Sequence, residues 1–196
     1  MVHAALQLIP KDEVSRDFLV ARAVAIARYA MLEYSLAQLF AHLMGVEPDV
    51  AGVIFFRINN SRARNSAIER FLKKKHGNAY NIFWNSLEKQ LRILDGKRNN
   101  VVHWATSTTI SVDTNPQSTV KLELIPPNFW DRTESTPAIS TEDLYDFILQ
   151  CDFISRLVNI FWWRLSGLGD VSAGLDIFQQ PVAYPPPDTH PLCLKS

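Results

Sequence analysis

Arg98, Asn99 and His103 stand within six residues of one another, in Arg98-Asn99-Asn100-Val101-Val102-His103, and no other stretch gathers so much potential chemistry. An arginine fork binds phosphate oxygens bidentately and keeps its charge. A histidine, with a reference pKa of about 6.5, takes or gives a proton near neutrality. Those two groups suffice for metal-free cleavage of RNA: the neighbouring 2′-hydroxyl attacks phosphorus, a base takes its proton, an acid protonates the departing 5′-oxygen, and a cation holds the charge gathering on the phosphoryl oxygens. If the segment is helical or tightly turned, Arg98 and His103 come within reach of one phosphate, because residues about four apart share a helix face. The bland alternative is a core-edge His103 bonded to a carbonyl, with Arg98 paired to Asp95 or a helix end. Asn100 suits a cap or turn better than a catalytic role.

Around this segment lie residues that can meet a substrate. Arg57, Arg62, Arg64, Arg70 and Lys73 to Lys75 form a basic cluster able to guide an RNA backbone, Arg62 and Arg64 first among them, though a solvated helix face explains the charge as well. Glu33 and Tyr34 interrupt an apolar helix, and Glu33 either enters the cleft as a substrate contact or pairs with an arginine on another helix. Phe161-Trp162-Trp163 can stack bases, but its helical spacing fits packing better. There is no Gly-rich phosphate loop, no Cys or His cluster with metal-ligand spacing and no Ser nucleophile elbow. The expectation is therefore neither a metal nor a cofactor.

The elements that must position these residues read as helices. Asp12 to Met44 holds no Pro or Gly, and Phe18, Ala25, Leu32, Leu36, Leu39 and Leu43 follow at spacings of seven, seven, four, three and four, multiples of the helical repeat. Its other side carries Val20, Val24, Ala27 and Met31, so burial in a bundle centre or against a second subunit is expected. Gly45 closes that helix and Pro48 opens a short one. Ser61 caps the next, which ends in a basic turn, Lys73 to His76, before Gly77. A third long helix runs from Ala79 to Leu94, with Ile82, Leu87, Leu91 and Leu94 on one stripe, and Gly96 breaks or loosens it.

After His103 the chain turns β-branched and alternating, which predicts a hairpin at about 105–125 around a turn at Thr114-Asn115-Pro116-Gln117. Ser140 or Thr141 then starts a last helix through Leu144, Phe147, Cys151, Leu157 and Phe161. From Gly167 the composition is Gly, Pro and small polar residues, an extended tail without a core of its own. The fold expected is all-α, an antiparallel four- to five-helix bundle over 1–166 with a β-hairpin inserted before the last helix, followed by a Pro-rich tail at 167–196.

Arg-Asn-Asn-Val-Val-His resembles the Arg-x(4–6)-His signature of HEPN domains, often seen as Arg-Asn, three residues and His. The likeness covers roughly Phe18 to Leu165: a long first helix, a second with Arg62, Arg64, Ile68 and Leu72, a third leading into the motif, and a closing helix. Arg70 to His76 also satisfies the spacing, but lacks the Asn and ends a basic helix. The resemblance implies a HEPN-like bundle that dimerises so that two motifs face one cleft, often as a metal-independent endoribonuclease, with many members acting as toxins or defence effectors. Carried over, Arg98 holds the scissile phosphate, His103 transfers the proton and Asn99 orients them. A toxin implies an antitoxin or other regulatory protein as partner. The alternative is a non-catalytic HEPN-like dimer that binds nucleotide or nucleic acid, or serves as a scaffold.

Composition sets the frame for either reading. The chain has 196 residues, 47 % of them hydrophobic, enough for a substantial core. Twenty basic residues balance twenty acidic ones, so any anionic partner must be met by a local patch. Two cysteines without metal spacing fit a reducing cytoplasm. No secretory leader is visible, and Arg22, Arg28 and Glu33 break the most apolar segment, which argues against a membrane span.

Overall fold

The structure, a computed structural model, describes residues 12–111, 119–127, 137–167 and 176–193. Along the chain come α1 (Glu13–Met44), α2 (Pro48–Phe55), α3 (Ser61–His76), α4 (Asn81–His103), β1 (Ala105–Ser111), β2 (Thr119–Ile125), α5 (Thr141–Ser166) and a 3-10 turn (Asp176–Gln179). The protein is mostly helical, with one small antiparallel hairpin. Among the described residues no helix is long and apolar enough to cross a membrane.

Helix ends follow local chemistry. Asp12 Oδ1 accepts the Ser15 amide at 2.7 Å to start α1, and Ser140 and Asp143 cap α5 reciprocally, Oγ taking the Asp143 amide and the carboxylate taking the Ser140 amide. At α3 the cap is Asn60, not Ser61: its side-chain oxygen accepts from the Arg62 and Ala63 amides, which leaves Ser61 as the first helical residue. Gly77 ends α3 at φ +59°, a conformation that favours glycine.

Gly96 does not break α4, which continues through the whole candidate motif to His103. A lone glycine weakens a helix by about 1 kcal/mol relative to alanine, and Leu91 and Leu94 buried before it and Val101 after it outweigh that. Ile82, expected on the buried stripe, is 60 % exposed, and Phe83 takes its place ahead of Leu87, Leu91 and Leu94.

The chain divides into two compact units, Met1–Arg28 with Gly96–Ile148, and Tyr29–Asp95 with Leu149–Ser196. In the first, Phe18, Ala21 and Ala25 of α1, Val101 of α4, Leu122 and Leu124 of β2, and Leu144 and Phe147 of α5 are buried. β1 and β2 pair from Ala105 with Ile125 to Ser111 with Thr119, and Leu124 exchanges both backbone bonds with Ile139. The proposed turn at Thr114 to Gln117 lies outside the described residues.

The second unit is dominated by aromatic contacts. Phe40 of α1 meets Phe55 of α2 and Phe71 of α3 at centroid distances of 5.5 and 5.8 Å. Phe83 of α4, Phe161 of α5 and Phe178 of the tail form a triangle with sides of 4.8, 5.1 and 5.1 Å. The tail thus contributes to the core after all: Phe178 is 1 % exposed, the Val182 amide donates to Ser86 Oγ at 2.7 Å, and Tyr184 and His190 both pack on Phe153. Phe178, Val182, Tyr184 and His190 together anchor a segment whose composition otherwise favours solvent.

Gly96 is exposed, and a methyl group there would meet nothing within 4 Å. Gly96→Ala is expected to raise unfolding stability by about 0.5–1 kcal/mol in a urea titration.

Candidate functional site

In the first unit α1 fixes the end of the motif helix through Arg22. Its Nε donates to Val101 O at 2.9 Å, Nη2 donates to Val102 O and Trp104 O at 3.2 and 3.0 Å, and Nη1 donates to Thr106 Oγ1 at 3.1 Å. The last carbonyls of a helix have no partner inside it, and a cation there also complements the helix dipole. Trp104 N donates to Asn100 O at 2.9 Å, an ordinary main-chain helix bond, so Asn100 is a helical residue and not the cap or turn former expected. Lys97 of α4 pairs with Asp146 of α5 at 3.1 Å, and Tyr145 OH donates to Asp17 at 2.6 Å.

On this frame the motif is a regular helix, with Arg98 half-buried and Asn99 and His103 exposed. At about 100° per residue, Arg98 and His103 lie roughly 140° apart around the axis, so their five-residue spacing does not give them a common face. Asn99 and His103, four apart, do share one. Arg98 Nη1 donates to Asn99 Oδ1 at 3.2 Å, which draws the guanidinium toward that face. The Asn therefore links the cation to the imidazole side of the helix.

Glu33, Arg62 and Arg64 belong to the second unit, not to that of the motif. Arg64 Nη2 meets Glu33 Oε1 at 2.6 Å, with little of either side chain exposed, and its guanidinium carbon sits 5.1 Å from the Phe55 ring centroid. Of the two roles open to Glu33, the structure thus supplies the ion pair. Beside it the Tyr29 hydroxyl donates to Asp95 Oδ1. Burial pushes the Tyr29 phenol pKa up strongly, and the hydrogen bond to Asp95 adds to the rise. The cavity these four residues share holds about 10 Å³, close to one water molecule and far too small for a nucleotide. Arg62 is exposed, and its backbone amide serves the Asn60 cap.

The rest of the basic cluster is partly occupied. Lys73 pairs with Glu69 at 2.7 Å and Lys75 donates to His42 O at 3.3 Å, while Arg70 and Lys74 border an open groove on α3. His76, the end of the second spacing match, packs edge-on against Tyr80 at 5.6 Å, with its pKa lowered first by burial and then by Lys75. It is a packed residue of the helix end. Phe161 is core, whereas Trp163, two residues on, is exposed.

Arg22 is the residue that sequence reading missed, as was the Tyr29–Asp95 bond. The partners of Arg22 lie about eighty positions away, and the only local signal was a charge inside an apolar run. No family model matches the chain, and no curated protein or solved structure matches it either.

Removing Arg22 as Arg22→Ala leaves the half-buried carbonyls of α4 unmet and is expected to lower unfolding stability by about 2 kcal/mol in chemical denaturation. The Tyr29 phenol is raised on folding, so its contribution is full below the unfolded value of about 10 and is lost as pH rises past it. Melting temperature should therefore fall above about pH 10, and Tyr29→Phe should flatten that fall.

Proposed function

We propose that this protein is a HEPN-type, metal-independent endoribonuclease acting as a homodimer. The observation that carries the reading is the joined set on α4: Arg98 bonded to Asn99, Asn99 on the same exposed face as His103, and the helix end held by Arg22. In this reading Arg98 grips the scissile phosphate and stabilises the charge on its oxygens, and His103 moves the proton between the 2′-hydroxyl and the departing 5′-oxygen. Asn99 keeps the guanidinium turned to the imidazole. Exposure of His103 suits a substrate as large as RNA. Toxin or defence activity in the cytoplasm, under an antitoxin or other regulatory protein, is the setting such chemistry implies.

A second reading has its own observation. The 140° separation of Arg98 and His103 suits a HEPN-like scaffold or nucleotide-binding module in which the motif is structural, unless the long arginine or a second copy closes the gap.

Total RNA incubated with pure protein in excess EDTA distinguishes the two. Wild type should leave fragments with 2′,3′-cyclic phosphate ends, and Arg98→Ala and His103→Ala should each lower the rate by about a hundredfold or more while melting as wild type does. RNA left intact by every protein overturns the nuclease reading in favour of the scaffold.

A further inference from the structure

The outward face of α1 is apolar over about four turns. Val20, Val24, Ala27, Met31 and Tyr34 are all exposed, Val20 at 53 %, Met31 at 56 % and Tyr34 at 54 %. They follow one another at spacings of four, three, four and three, a mean of 3.5, the repeat with which two helices coil around each other rather than the 3.6 of a solitary helix. The stripe is about 21 Å long at 1.5 Å per residue. Leu19 and Ile26, also exposed, lie about 100–120° around the helix from Val20, outside the stripe.

Between Val20 and Tyr34 no charge falls on this face. Arg22 is turned to the carbonyls of α4 and Glu33 to Arg64, and Arg28 projects about 80° from the line of Val20. A helix face meant for water carries charged residues, and a contiguous uncharged one marks an interface. Burial within the chain, one of the two outcomes that the sequence allowed for these residues, is not what happens. The second subunit is what remains.

We propose that the stripe on α1 pairs with the same stripe of a second copy, antiparallel, across a two-fold axis between Val24 and Ala27. The face complements itself in that register. Val24 then lies on Ala27 of the partner subunit and Met31 on Val20 of the partner subunit, large on small in every layer. At both ends Tyr34 reaches Asp17 of the partner subunit, a carboxylate that accepts Tyr145 on one oxygen and has lone pairs left for a second donor. An unrelated partner would have to supply an equally long 3.5-spaced stripe with an acceptor at each end, which this chain already owns. The pairing deepens the dimeric part of the proposed function but stands on α1 alone, without the motif.

Sedimentation velocity of the full chain over a concentration series tests it. Wild type should dimerise, and Val24→Glu, which puts two carboxylates face to face, should weaken the dimer by about a hundredfold or more. Val24 is 36 % exposed in a single copy, so melting and helix content should stay close to wild type, and Met31→Glu, at a position 56 % exposed, should weaken the dimer in the same way. Val53→Glu, on the exposed apolar side of α2, should leave the dimer intact. In a Cys193→Ser background, Val20→Cys with Met31→Cys should give a disulfide-linked dimer. A monomer at every concentration, a monomer that instead floats with anionic vesicles, or a dimer indifferent to Val24→Glu overturns the pairing. Cross-linking through Val20→Cys alone, whose two copies lie about 16 Å apart in this register at 1.5 Å per residue, overturns the antiparallel pairing. RNA cleavage is read separately: a dimer that responds to Val24→Glu but never cuts RNA sinks the nuclease and leaves the pairing standing.

Discussion

The final carbonyls of an α-helix point out of its end with nothing in the helix to receive them, and at the end of α4 a single guanidinium takes the oxygens of Val101, Val102 and Trp104. The same group reaches Thr106 at the start of β1, so the exit from helix to hairpin is fixed at one point. Everything asked of Arg98, Asn99 and His103 presumes a helix that stays wound to its last turn. Lysine could not replace Arg22, because a planar fork with several donors is needed to serve oxygens lying in different directions.

The two polar pairs of the second unit follow a different logic. Glu33 with Arg64 and Tyr29 with Asp95 line a space that barely holds one water, and each partner answers the other's need after leaving bulk solvent. Charged residues inside an apolar pattern invite a catalytic interpretation. Here mutual satisfaction accounts for Glu33 and Arg64 within their own unit, whereas Arg62, left exposed, keeps its charge available to an anion.

Periodicity made the helices legible: the buried stripes of α1 and α5, the glycine stop of α3 and the alternation of the hairpin strands all follow from residue order. The errors came where two local signals competed. Gly96 reads as a stop, yet Leu91, Leu94 and Val101 on either side bury enough surface to carry the helix across it. Asn60 and Ser61 are both good caps, and the better acceptor geometry at Asn60 decides. Ile82 and Phe83 are both apolar, and only packing against Phe161 and Phe178 selects the second. For the site, residue types were legible and angular placement was not, since a five-residue spacing has meaning only once the backbone is known to be helical. Arg22 was beyond reach because nothing near it names its partners.

Neither unit is a continuous piece of sequence, since each is assembled from a stretch before and a stretch after the other's residues. While the ribosome has delivered α1 through α4 but not yet Leu149 to Ser166, Phe83 lacks Phe161 and Ser35 lacks Ser155, their partners on the last helix. Folding must wait for these contacts between distant parts of the chain, and the waiting intermediate exposes apolar surface that invites chaperones or aggregation. No single cut of the chain separates one whole unit from the other.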